Sequence, residues 1–82
     1  MSVFIVVQVI STNLDSHRIL KKVGDNLPDG NVEAIKYESA EPALMVSRSV
    51  KGGTVIRERD FKNYIKADDL YRLSAEAAKC AL

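Results

Sequence analysis

The longest apolar run of the chain lies at its beginning. Seven of the eight residues from 3 to 10 are apolar, and most of them are β-branched. Branched side chains lose rotamer freedom in a helix but pack well on a pleated sheet, so this run predicts a strand. Side chains alternate between the two faces of a strand, and here both faces are apolar apart from Gln8. Such a strand lies inside a sheet and is covered on both sides, either by its own chain or by a partner chain.

The next apolar positions follow a helical spacing. Polar residues 11–13 end the strand and offer a helix N-cap, and Asp15 is placed where a carboxylate favours the helix dipole. Apolar side chains then fall near one helical face at Leu14, Ile19, Leu20, Val23 and Leu27. This pattern predicts a helix over residues 14–26, which Gly24 either ends early or occupies at a cost of about 1 kcal/mol. Residues 28–30, with the sequence Pro-Asp-Gly, predict a turn.

Three further strands are predicted in the middle of the chain. Residues 31–39 alternate imperfectly between apolar and polar positions, which is typical of a strand at a sheet edge. Residues 43–50 alternate more regularly and predict a third strand. Gly52 and Gly53 then predict a tight hairpin turn into a fourth strand over residues 54–59.

The chain ends in a predicted helix. Residues 60–66 fit both a helix and a strand, because their apolar spacing matches either period. Asp68 and Asp69 are N-terminal helix signals, and apolar residues follow on one face, so a helix is predicted over residues 68–80. The resulting order, β-α-β-β-β-α, predicts a single small α+β domain over residues 1–82. Its sheet would be mainly antiparallel, with the helices packed on one face.

Composition and charge exclude several classes of protein. The 82 residues are 46% apolar and 28% charged, as in a globular domain, and the net charge of +1 gives no case for nucleic acid. Cys80 is the only cysteine, so no internal disulfide forms, which fits a cytoplasmic location. The apolar run is far shorter than the roughly 20 residues of a membrane helix, and it lacks the flanks of a signal peptide. We therefore expect no membrane contact.

One local charge asymmetry lies between residues 48 and 66, where six basic residues oppose two acidic ones and leave a net charge of +4. If the predicted hairpin turn has two residues, Arg48 pairs with Arg57. Like charges in direct opposition destabilise a sheet unless an anionic partner lies over them. The alternatives are a solvated basic face, or a three-residue turn that pairs Arg48 with Ile56 and removes the argument. The candidate binding residues are Arg48, Lys51, Arg57, Arg59, Lys62, Tyr64 and Lys66, with Tyr64 as a stacking platform.

No motif in the chain is specific for a reaction. Residues 51–54 lack the longer glycine pattern of a phosphate-binding loop and lie between two predicted strands. His17 is the only histidine and has no second metal ligand, so it is predicted to face solvent on the first helix. Cys80 is predicted to be a packing residue or a free thiol, since Lys79 points about 100° away around the helix. We expect no catalytic residue, metal or cofactor.

These observations favour a small non-catalytic module that binds or regulates a protein. The doubly apolar first strand and the alanine-rich last helix favour protein contacts, including a homodimer. Its small size and its lack of a catalytic motif also suit an inhibitor of a host system, of the kind that a phage or plasmid encodes. The alternative is a nucleic-acid-binding protein that uses the predicted basic hairpin over residues 48–66.

Overall fold

A computed structural model describes residues 3–13 and 16–80. The elements in chain order are β1 (Phe4–Thr12), β2 (His17–Lys22), β3 (Gly24–Asn26), β4 (Val32–Ala34), α1 (Ala40–Arg48), β5 (Gly53–Arg57), a 3₁₀ turn (Glu58–Asp60), β6 (Tyr64–Lys66) and α2 (Ala67–Lys79). Four strands form an antiparallel sheet in the order β5-β1-β2-β6, and β3 pairs with β4. The predicted α+β class and mainly antiparallel sheet are confirmed, but the predicted element order is wrong in two segments.

The predicted first strand is confirmed as β1, and the chain itself covers both of its faces. One face packs into a buried cluster formed by Phe4, Val6, Ala40, Ala43, Val55 and Ala77. The other packs into a second cluster formed by Ile5, Val7, Leu20, Ile56, Ile65 and Leu70. Helix α2 contributes to both clusters, through Ala77 and Leu70 respectively. No partner chain is therefore needed to cover these four residues of β1. Gln8 donates from its side-chain amide to the Lys51 carbonyl at 3.0 Å.

The predicted helix over residues 14–26 is wrong, because residues 17–26 form β2 and β3. β2 pairs antiparallel with β1, with a bulge between Val9 and Ser11. The turn between them is held by Asn13, whose side-chain oxygen accepts the His17 backbone N–H at 2.9 Å. Polar residues such as those at 11–13 occur both in turns and at helix N-caps, so the sequence alone did not distinguish the two structures. Residues 17–22 form a strand because they pair with the buried strand β1. Leu14 and Asp15, which begin the predicted helix, lie outside the described residues.

The predicted turn over residues 28–30 is confirmed between β3 and β4. Gly30 has a φ of 86° and donates its N–H to the Leu27 carbonyl at 3.0 Å. The backbone N–H of Asn31, and then its side-chain amide, donate to the Asp29 carboxylate and lower the pKa of Asp29 below its ordinary value. The predicted strand over residues 31–39 is longer than β4, beyond which only Tyr37 forms an isolated bridge, to Phe4.

The predicted third strand over residues 43–50 is also wrong, since residues 40–48 form α1. Its buried positions are Ala40, Ala43 and Ser47, which lie on one helical face and let the helix approach β1 and β5 closely. Pro42 lies in the first turn, where a helix tolerates proline. The larger apolar residues that suggested a strand alternation are partly buried or exposed in the helix.

Residues 51 and 52 form a turn from α1 into β5, which begins at Gly53, and the predicted hairpin between strands is wrong. Gly52 has a φ of 71° and accepts the Val9 backbone N–H at 3.0 Å. The predicted strand over residues 54–59 is confirmed in its first part, and residues 58–60 form the 3₁₀ turn. The predicted helix over residues 68–80 is confirmed as α2, and the ambiguous residues 60–66 include β6.

Candidate nucleic-acid or protein interface

The seven predicted binding residues do not form one surface. Arg48 lies in the last turn of α1, and Lys51 lies in the turn that follows, both exposed. Arg57 pairs with Phe4 of β1 and not with Arg48. The argument from opposed arginines is therefore wrong, because the first half of the predicted hairpin is a helix. Arg59 is exposed on the 3₁₀ turn.

Arg57 makes its contacts within the protein. Its Nη2 donates to the Cys80 sulfur at 3.4 Å, and its Nη1 lies 3.9 Å from the Glu76 carboxylate. Only 21% of its side chain is exposed. Cys80 thus has a positive neighbour that sequence reasoning missed, because strand β5 brings Arg57 to the end of α2. These contacts tie β5 to α2 and leave little of Arg57 for a partner.

The other three predicted residues lie together along β6. This strand pairs only with β2 and forms one edge of the sheet. Tyr64 and Lys66 are exposed and Ile65 between them is buried, as expected for side chains that alternate across a strand. Lys62 is also exposed and lies just before the strand. A groove of about 510 Å³ runs along the strand. Five of its polar lining residues lie on β2, on β6 or just before β6, and we name them the β6 surface: His17, Lys62, Asn63, Tyr64 and Lys66. Asp69 of α2 also lines the groove.

His17 belongs to this surface, and the prediction that it faces solvent on a helix is wrong. It lies on β2 opposite Lys66 and is half-buried. Its ring packs against the ring of Tyr64 edge to face, with 5.5 Å between the centroids. Sequence reasoning missed this contact because it placed His17 on a helix. The alternation of Lys62, Tyr64 and Lys66 was the available signal for a neighbouring strand.

The register of the sheet extends this face across β2. Paired residues of antiparallel strands point to the same side, so Ile19 lies beside Tyr64, and Lys21 lies beside Gln8 on the same side. Ile19 is half-buried and Lys21 is exposed. This face therefore presents the Tyr64 ring and the Ile19 side chain, with Lys21 and Lys66 beside them. Asp69 adds one carboxylate to the groove. The charge of this face favours an anionic partner.

A second groove lies between the β3–β4 hairpin and the main sheet. Its volume is about 500 Å³, and its floor includes Ile5 and Phe61. Lys22 lies over the Phe61 ring, 5.0 Å from the centroid, and Lys36 pairs with Glu58 at 3.4 Å. Three of its charged side chains thus have partners within the groove. Sequence reasoning did not anticipate the groove because it predicted a helix in place of β2 and β3.

Comparisons with protein-family models, curated proteins and solved structures find no match for this chain. Within residues 3–13 and 16–80, His, Cys, Asp and Glu side chains form no group of three or more that fits a metal ion. In the same part of the chain, neither helix has the length and apolar character needed to cross a bilayer.

Proposed function

We propose that this protein is a small non-catalytic binding module that acts through contacts between its β6 surface and a partner protein. The observation that carries the proposal is the sheet edge at β6, where Tyr64 is 61% exposed. Tyrosine supplies a large, rigid contact area with a polar end, and it is enriched at the centre of protein interfaces. Exposed edge strands are also the usual templates for contact with another chain.

The opposite edge of the sheet supports this choice of surface by contrast. Both helices pack against β5, and α2 is tied to that strand by the hydrogen bond between the Thr54 and Ser74 hydroxyls and by the ion pair of Arg57 with Glu76. Proteins commonly cover sheet edges in this way to prevent pairing with other chains. Helix α2 also contacts β6, but Tyr64 and Lys66 stay exposed there, so a partner that approaches the sheet edge-on has β6 available.

Catalysis is not part of the proposal, because the β6 surface is an open groove that does not exclude water from its polar groups. An inhibitor of a host system would act through a contact of this kind, and the single cysteine supports a cytoplasmic setting for it.

A homodimer remains a prediction. The first strand no longer argues for it, since the chain covers both faces of β1.

Single-stranded nucleic acid is a second candidate partner. The observation that favours it is the position of Tyr64 between Lys62 and Lys66, with Lys21 on the same face of the sheet. Bases stack on exposed aromatic rings, and lysines along the path of the strand neutralise phosphates. The contacts of Arg57 within the protein weaken the original form of this hypothesis, which relied on a basic hairpin.

Two tyrosines provide a matched test of the β6 surface. Tyr71 is 79% exposed on α2, away from the groove, and serves as the control for Tyr64. Peptides selected from a random phage-displayed library against the unmodified protein should bind Tyr64→Ala at least about tenfold more weakly, as expected for an interface anchor. The same peptides should bind Tyr71→Ala with unchanged affinity, measured by calorimetry.

The same two variants decide between the candidate partners. Binding of a mixed-sequence single-stranded oligonucleotide that weakens steeply with salt and disappears in Tyr64→Ala would favour nucleic acid over protein. If the library yields no binder, or if both tyrosine variants lose affinity equally, the β6 surface is not the protein-binding site.

A further inference from the structure

We propose that the partner contributes an extended acidic segment, which pairs through its backbone with the free edge of β6 as an additional strand. This inference rests on the proposed function and adds the chemistry and the geometry of the partner. Strand addition draws its affinity from main-chain hydrogen bonds and its specificity from alternate side chains.

The hydrogen bonds of β6 show which backbone groups are free. Asn63 accepts the Leu20 N–H at 2.8 Å, and Ala67 donates its N–H to the Ser16 carbonyl at 3.1 Å. Odd-numbered residues of this segment therefore turn their backbone groups toward β2. Because these groups alternate along a strand, the amides of Tyr64 and Lys66 point to the open edge. In the part of the chain that the structure describes, no turn, loop or cap accepts a bond from either amide.

The groove provides room for a strand at this edge. Its lining includes Tyr64 and Lys66 from one face of β6, and Ile65 and Asp69 from the other side. A space bordered by side chains from both faces of a strand lies along the edge of that strand. An added strand would therefore place one row of its side chains beside the lysines and the alternate row beside Ile65.

Charge identifies the occupant as an acidic segment. Lys62 and Lys66 both line the groove, where Asp69 is the one carboxylate, so acidic side chains of an added strand would lie near two ammonium groups. A second copy of this chain would bring its own Lys62 and Lys66 to the same groove and add cations there. An acidic segment would instead neutralise these cations, so the edge favours a different, acidic chain.

Lys66 offers a substitution that removes one free amide and preserves the fold. Its φ is −58°, close to the value that proline imposes, and its amide makes none of the loop or cap hydrogen bonds. Lys66→Pro should therefore fold, as its urea midpoint would show. Lys66→Ala is the matched control, since it loses the same charge but keeps the amide.

The probe is a capped peptide of alternating Glu and Val residues, with two matched controls. One control carries N-methyl groups on alternate backbone amides, which block strand pairing without a change of charge. The other replaces every Glu with Lys. The alternating peptide should bind, and it should slow hydrogen exchange at the Tyr64 and Lys66 amides by about tenfold or more. Lys66→Pro should bind it at least about tenfold more weakly than Lys66→Ala.

The outcomes separate this inference from the proposed function. If the N-methylated peptide binds as tightly as its parent, or if the two Lys66 variants bind equally, strand addition is overturned while a protein contact at the β6 surface stands. Preference for the lysine peptide, or self-association of the protein through β6, overturns the acidic partner. If neither these peptides nor library peptides bind, or if only the oligonucleotide does, the inference and the proposed function both fail.

Discussion

Gly52 joins α1 to β5 in a conformation that residues with a side chain rarely adopt. Its φ is 71°, and a Cβ atom there would lie 3.1 Å from the Val9 carbonyl oxygen. The same residue accepts the Val9 N–H, so the backbone of this turn packs directly against β1. Glycine is needed at this position both for its dihedral angle and for its small size.

Substitution of two glycines should separate these two requirements. Gly30 has a φ of 86° but has no atom within 4 Å of the place where a Cβ would lie. Gly30→Ala should cost about 1 kcal/mol of unfolding free energy for the dihedral angle alone. Gly52→Ala should cost about 1 to 2 kcal/mol more, because the Val9 backbone must also shift. Urea denaturation measures both, and equal losses would contradict the close approach of this turn to β1.

The elements that form around β1 show why some of the fold was predictable and some was not. The apolar character of β1 and the helical spacing of α2 were each specific for one structure, and both were predicted. The apolar residues of β2 fitted a helical face, and the alternation over 43–50 fitted a strand. In each case a contact distant in sequence decided the structure: β2 pairs with β1, and α1 buries its small residues on the sheet.

Part of the candidate site was likewise predictable from local sequence, and part depended on contacts distant in sequence. Tyr64, Lys62 and Lys66 are close in sequence, and the structure places all three along one groove. Arg48 and Arg57 were linked only through a predicted hairpin, and they separated when that hairpin proved to be a helix and a strand. His17 joined the site through the β2–β6 pairing, which local spacing does not encode.

Two neighbouring residues test whether residues 17–22 form a strand. Leu20 is buried in the second core cluster, whereas Ile19 lies on the opposite face and is half-buried. A helix would bring both side chains near one face, and a strand separates them. Leu20→Ala should therefore cost about 2 to 4 kcal/mol and Ile19→Ala about 1 kcal/mol of unfolding free energy. Similar losses, measured by urea denaturation, would favour the helix.

At the scale of the whole molecule, the sheet is covered at β1 and β5 and is open at β6. The two core clusters cover both faces of β1, and the helices pack against β5 at one edge. The other edge, at β6, has no strand neighbour beyond β2 among the described residues, and Tyr64 is exposed there. The proposed function follows from this asymmetry, because natural proteins commonly protect a sheet edge that has no partner.

Hydrogen exchange of single amides in the free protein tests this asymmetry most directly, and it needs no knowledge of the partner. The amides of Tyr64 and Lys66 should exchange at least about tenfold faster than those of Ile65 and Ala67, which are turned toward β2. Comparable protection of all four amides would mean that the edge of β6 is already paired or covered. That result would contradict the account of β6 as the open binding edge of the sheet.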